Sequence, residues 1–151
     1  MSTTPTVGTV DVRGPRFSAW VTSAVLTAVL LIAPVSAVAA AVLLGVQAAV
    51  FAAGALGGPR RHPYGQVFAR FVAPRLTPVR EREPVAPLRF AQLVGLAFAV
   101  VGLAGFAAGV PLIGFVATAF ALAAAFLNAA FGICLGCQLY PLFSRLTPIT
   151  K

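Results

Sequence analysis

FAQLVGLAFAVVGLAGFAAGVPLIGFVATAFALAAAFLNAAFGI, running from Phe90 to Ile133, contains no Lys, Arg, Asp or Glu. A hydrocarbon slab about 30 Å thick takes roughly 20 apolar residues of helix to cross, and this stretch is about twice that long. Gly109-Val110-Pro111 interrupts it near its middle, where proline removes a backbone donor and ends a helix. The stretch therefore reads as two membrane-spanning helices joined by a tight turn. Working outward, Phe17 to Leu56 repeats the arrangement, charge-free, with Pro34 as its breaker. The expected fold is an all-α membrane protein, one domain over residues 1–151, with four transmembrane helices arranged as two hairpins. The spans fall at about 16–33, 35–57, 88–109 and 112–133, with a linker over 58–87.

Composition agrees. The chain is 60% hydrophobic and 9% charged, where soluble domains carry about 25% charged residues. A removable leader is the poorer reading of the amino end. Arg13 and Arg16, an apolar run and Ala37-Val38-Ala39 mimic its three parts, but the apolar run continues beyond them.

The net charge is +8, and its placement says more than its size. Arg13 and Arg16 precede the first span; Arg60, Arg61, Arg70, Arg75, Arg80, Arg82 and Arg89 fill the central segment; Arg145 and Lys151 follow the last span. The turns at Pro34 and Pro111 have none. Positive residues in short loops stay on the cytoplasmic side, so the pattern predicts an inner-membrane, multi-pass protein with both termini inside. The same pattern accounts for the charge without nucleic acid.

Within the linker, Tyr64, Val67, Phe68, Phe71 and Val72 follow helical spacing, with Gln66 and Arg70 off the stripe. This predicts a cytoplasmic amphipathic helix, lying in the headgroup layer, closing over the bundle, or both. Pro74 to Pro87 has four prolines and the run Arg80-Glu81-Arg82-Glu83, which reads as an extended, solvated connection. Met1 to Val12 reads as a mobile lead-in, apart from whatever Asp11 contacts.

In the third span Gly95, Gly102 and Gly109 repeat at seven, and Gly105 and Gly109 at four. Small residues let helices approach in lipid, and the Ala-rich stretches 37–41 and 119–125 are candidate partners for this groove. Gln47, Gln92 and Asn128 are amides in otherwise apolar helices. Gln92 and Asn128 lie at similar depths and are expected within reach of each other. They either pin helix register or bind a small ligand such as a quinone headgroup.

The chain's two cysteines form Cys134-Leu135-Gly136-Cys137. Three readings stay open. The sulfurs are packed and inert; or they share a metal, for which His62 is the one further ligand of that type and four are needed; or they exchange disulfides or carry a persulfide. Reactive pairs of this spacing draw acidity from helix amino ends. At the end of the fourth span the helix dipole opposes a thiolate, unless Gly132 or Gly136 breaks the helix and turns backbone N–H groups toward Cys134. Otherwise activation would have to come from nearby cations, with Arg13, Arg16, Arg89 and Arg145 on the correct side and Arg13 and Arg16 as the candidate thiolate stabilisers. Pro141 is expected to end regular helix soon afterwards. In a reducing cytosol the pair rests as dithiols.

With Asp11-Val12-Arg13-Gly14-Pro15-Arg16-Phe17 before the first span and Cys134-Leu135-Gly136-Cys137-Gln138-Leu139-Tyr140 after the last, the chain resembles an actinobacterial family of small membrane proteins, the domain of unknown function DUF4395. The resemblance implies company with rhodanese-like sulfurtransferases and thioredoxin-like proteins, and so sulfur or thiol traffic. It singles out Arg13, Gly14, Pro15 and Arg16 at one end, and Cys134, Gly136, Cys137 and Tyr140 at the other. The chain is also broadly similar to four-helix quinone-linked thiol oxidases, but lacks their second cysteine pair and points its thiols the other way. Two functions follow: thiol, disulfide or persulfide handling with a soluble partner, or a non-catalytic accessory or scaffold subunit of a larger membrane complex. Passage of a small neutral solute ranks third, since the spans hold no ionisable residue for coupling.

Overall fold

The computed structural model describes residues 9–79 and 81–146. Arg80 and Lys151, two of the arginines and lysines counted above, and residues 1–8 lie outside the described residues. Four helices are long and apolar enough to cross a membrane: α1 (Arg13–Ile32), α2 (Ala37–Gly57), α4 (Val85–Ala107) and α5 (Pro111–Phe131). At 1.5 Å per residue, 20 or more residues reach the roughly 30 Å of a hydrocarbon core. The two turns form where the breakers stand. Ser36 caps α2 by accepting from the Ala39 amide at 3.1 Å, and Pro111 sits in the first turn of α5, where its missing donor costs nothing.

The four helices form a ring in which α2 packs most extensively on α4, α4 on α5, and α5 on α1. Small polar side chains sit among an apolar interior, and large apolar ones face outward along the spans. Ser18, Thr22, Ser23, Gln47 and Thr118 are buried, whereas Leu31, Val38, Leu112 and Phe131 face outward. Outward-facing apolar side chains along the spans suit a hydrocarbon solvent. Internal packing uses most of the glycine groove. A Cβ on Gly95 would meet the Phe51 ring of α2 at 2.7 Å, one on Gly102 would meet Leu44 at 2.9 Å, and one on Gly105 would meet the Gly114 backbone of α5 at 2.6 Å. Gly109 is not in the groove. It has φ +79°, nothing within 4 Å of a Cβ position, and it makes the turn. The Ala-rich stretches are mostly not the partners either; Phe51, Leu44 and Gly114 fill that role.

The segment between the hairpins lies against the end of the ring where the chain's described ends also gather. α3 (Pro63–Val67) continues through a π-helical turn over Phe68–Val72 and a 3-10 turn over Ala73–Arg75. Its stripe is split. Phe68 is buried against Gly14 and the Phe17 ring of α1, at a centroid distance of 5.7 Å, while Val67 and Phe71 face outward. The connection beyond it is not simply solvated. β1 (Thr9–Asp11) pairs antiparallel with β2 (Arg82–Pro84), with Val10 opposite Glu83 and Asp11 opposite Arg82. Thr9 to Val12 is therefore ordered by a strand partner, and half of the alternating charge run is backbone-paired. Burial raises the Glu83 carboxyl above its ordinary range, with the charge of Arg16 pulling the other way.

A further helix, α6 (Leu135–Leu146), follows the last span and contains Pro141 at its middle. The expectation that regular helix ends at Pro141 is wrong. A proline inside a helix removes one donor, here the one that would reach the Cys137 carbonyl, and a surface helix tolerates the loss. Phe90 of α4 holds α6 in place, with its ring 5.9 Å from Tyr140 and 5.1 Å from Phe143.

Candidate functional site

Gly132 decides the geometry of the cysteines. It adopts the left-handed conformation, φ +70° and ψ +16°, its amide closing on Asn128 and the following Ile133 amide on the Leu127 carbonyl. Only glycine takes that conformation without steric cost. The chain turns, and Cys134 becomes the residue that opens α6. The Gln138 amide donates to the Cys134 carbonyl at 3.1 Å, and the Cys137 amide donates to Cys134 Sγ at 3.2 Å. Cys134 thus stands at the amino end of a 12-residue helix. Cys134 therefore lies between the negative end of α5 and the positive end of α6.

The two sulfurs are bridged, with Cα atoms 5.2 Å apart, and both residues are half-buried. The dithiol expected at rest in a reducing compartment is the other state of this couple. Gly136, between the cysteines, lets α6 rest on α4: a Cβ there would lie 2.6 Å from Ala91 Cα. Beneath Cys134 is a cavity of about 280 Å³ bordered by Pro15, Ser18, Gln92, Asn128 and aromatic rings from α2, α4 and α5.

The structure brings some of the sequence-predicted residues together and not others. Gln92 and Asn128 both border this cavity but do not hydrogen-bond to each other. Arg13 is held by Asp11, at 2.8 Å between Nη2 and Oδ2, and donates to the Thr77 carbonyl at 3.0 Å. That ion pair and its hydrogen bonds keep the Asp11 carboxyl below the ordinary range. Arg16 donates to the Ala129 carbonyl at 3.2 Å, near the carboxyl end of α5. Neither guanidinium makes a hydrogen bond to the sulfurs. Arg89 does for α2 what Arg16 does for α5, donating to the Ala55 and Leu56 carbonyls at 2.9 Å each. Orphan carbonyls and the negative helix end explain both contacts. Of the segment from Asp11 to Arg16, Asp11 belongs to the strand paired with β2, and Pro15 borders the same cavity as Cys134.

Sequence reasoning gave little weight to the polar side chains gathered beside this site. Gln47 is fully buried in α2 and accepts from the Tyr64 hydroxyl at 2.8 Å. The Tyr64 ring stands edge-on to His62 at 5.3 Å, and burial raises its hydroxyl above the usual range. His62 is 3% exposed. Burial lowers its imidazole to about 4, with Gln92 pulling the other way, so it is neutral at pH 7. A lone histidine between Arg61 and Pro63 gives no periodic signal that would have marked it.

A family model described as a domain of unknown function, DUF4395, matches residues 10–145. No curated protein and no solved structure matches the chain. The matched span covers both end motifs and all four long helices.

Proposed function

The chain belongs to the DUF4395 family, and from that premise we propose that it is a membrane-anchored thiol–disulfide exchanger whose reacting atom is Cys134 Sγ. The observation that carries this reading is the Gly132 break, which makes Cys134 the opening residue of α6, with the Cys137 amide donating to its sulfur. An amino-terminal N–H and the positive end of a helix dipole both favour a thiolate over a thiol.

The reduced pair then works in two steps. Cys134 thiolate attacks one sulfur of a partner's disulfide; an S–S bond forms between them, and the partner's second sulfur leaves as a thiolate. Cys137 thiolate attacks Cys134 Sγ, closes the bridge and expels the partner's first sulfur. Two electrons pass from the pair to the partner, which ends as a dithiol. The reverse sequence opens the bridge with a partner dithiol. A persulfide is met by the same sulfur: Cys134 thiolate bonds the outer sulfur and the partner's cysteine leaves as thiolate. Soluble thioredoxin-like or rhodanese-like proteins have the required groups.

The side of the membrane follows from charge. Contacts of Arg13, Arg16 and Arg89 tie the described ends and the linker to one end of the bundle, and the opposite turns carry no charge. The positive-inside rule makes that end cytoplasmic, in the inner membrane, with both termini inside. A reducing compartment keeps the pair as dithiols between turnovers.

Trapping tests the proposal. Cys137→Ala should retain a soluble partner as a mixed disulfide on Cys134, while Cys134→Ala should retain none. Equal capture by both, or by neither, removes the exchanger. The rival reading, an accessory subunit of a larger membrane complex, draws on outward-facing Val67, Phe71, Leu142 and Leu146. It requires that assembly and function survive loss of both sulfurs.

A further inference from the structure

A second cavity, of about 270 Å³, lies between the amino end of α1, the segment from Pro59 to Val79, and α4. Most of its wall is apolar, including Val10, Phe68, Val79 and Leu88. His62 and Gln92 also line it side by side; His62 Nδ1, His62 Nε2 and Gln92 Oε1 have no well-aligned hydrogen-bond partner, and even with Gln92 acting on one ring nitrogen the other is left unmatched. A buried polar atom left unpaired is costly, so an unmatched imidazole nitrogen at a cavity wall needs an explanation. Gly54 makes the arrangement fit, since a Cβ there would lie 2.7 Å from the His62 ring and 2.9 Å from Gln92.

We propose that this cavity binds an uncharged ring bearing hydroxyl or carbonyl oxygens on an apolar body, the chemistry of a quinol or quinone headgroup. A neutral imidazole offers one donor and one acceptor, and Gln92 Oε1 offers an acceptor. A ring hydroxyl satisfies both kinds at once. Arg60 is the cation at the wall, but the lining is otherwise mostly apolar and the buried imidazole beside it is neutral, which favours an uncharged ring over a hydrated anion. Cations fare no better, because Asp11 is the carboxylate at the wall and it is paired. The volume falls just below the roughly 300–1,000 Å³ of small-molecule sites, which suits a headgroup of one or two rings rather than a whole lipid. Gln92 borders this cavity and the one beneath Cys134, so the two sites share a wall.

The site does not depend on the sulfur chemistry, and its test is made without it. The full chain carrying Cys134→Ser and Cys137→Ser is placed in nanodiscs with ¹⁵N-labelled histidine. His62 is the single histidine, so the ring nitrogens report from one place. Anaerobic titration with 1,4-naphthohydroquinone should shift one or both signals saturably; naphthalene and inorganic phosphate should not. Gln92→Leu, which keeps the reporter, should weaken binding about tenfold, the size of one hydrogen bond. Val79→Trp, which fills the cavity from its outer side, should abolish the shift. The proposal is overturned by no saturable shift, by an equal shift with naphthalene, or by undiminished binding in both variants.

Discussion

Gly109 and Gly132 make the same backbone move at opposite ends of the bundle. Each ends a long helix or its turn with positive φ, +79° and +70°, and each has nothing within 4 Å of where a Cβ would stand. After Gly109 comes Val110-Pro111, and the chain goes straight back into the membrane as α5. After Gly132 comes Ile133-Cys134, and the chain leaves the bundle as α6, a helix lying across α4. The break itself is therefore not the function. What matters is the side chain delivered where the next helix begins: proline at the first position of α5, a thiol on the residue just before α6.

The sharpest break of this comparison is removal of the sulfur. Cys134→Ala should abolish mixed-disulfide formation with any partner dithiol or disulfide protein, whereas Pro111→Ala should leave it intact. Gel-shift capture of the adduct measures this, and a surviving adduct in Cys134→Ala would mean that the Gly132 junction delivers nothing reactive.

Next in size is Gly136→Ala. Its Cβ would meet the Ala91 backbone at 2.6 Å, so α6 must move away from α4, at a cost of about 1–3 kcal/mol. Thermal unfolding should show the loss, and exchange should slow with it. An unchanged midpoint would show that α6 does not rest on α4.

The paired substitution comes third. Gly109→Ala and Gly132→Ala each force an alanine into left-handed backbone, at about 1–2 kcal/mol. At roughly 2–4 °C per kcal/mol for a chain of this size, both should lower the unfolding midpoint by several degrees. Only Gly132→Ala should also slow Cys134 alkylation. Equal slowing in both would show that the effect is general loosening and not the start of α6.

The smallest effect is expected at Arg16. Arg16→Gln removes a cation from the carboxyl end of α5, worth about 0.3–1 kcal/mol, and should leave Cys134 alkylation within twofold of the parent. A tenfold fall would return Arg16 to the role of thiolate stabiliser that its hydrogen bond to Ala129 argues against.

The four spans were legible because lipid imposes long charge-free runs, and because Pro34 and Gly109-Val110-Pro111 are strong breakers. The boundaries shifted by about three residues at most, with α1 opening at Arg13 and α4 at Val85. Less legible was everything set by a few local contacts. The strands Thr9–Asp11 and Arg82–Pro84 are three residues each, too short for an alternating pattern to stand out, and their pairing joins distant parts of the chain. Pro141 looked like a stop because its missing donor is visible in sequence, while the support from Phe90 is not. At the site, the cysteine spacing and the two glycines were visible. Which of the two breaks the helix was not: Gly132 takes the left-handed turn, while Gly136 lies inside α6 against Ala91, a contact that no one-dimensional pattern records.

One measurement bears most directly on the claim that Cys134 opens a helix and is thereby the reacting thiol. In the reduced full-length protein at pH 7, the separate rates at which iodoacetamide modifies Cys134 and Cys137 can be read by mass spectrometry. Cys134 should react at least tenfold faster, and Gly132→Ala should erase most of that difference. Equal rates in the parent protein, or a faster Cys137, would contradict the account.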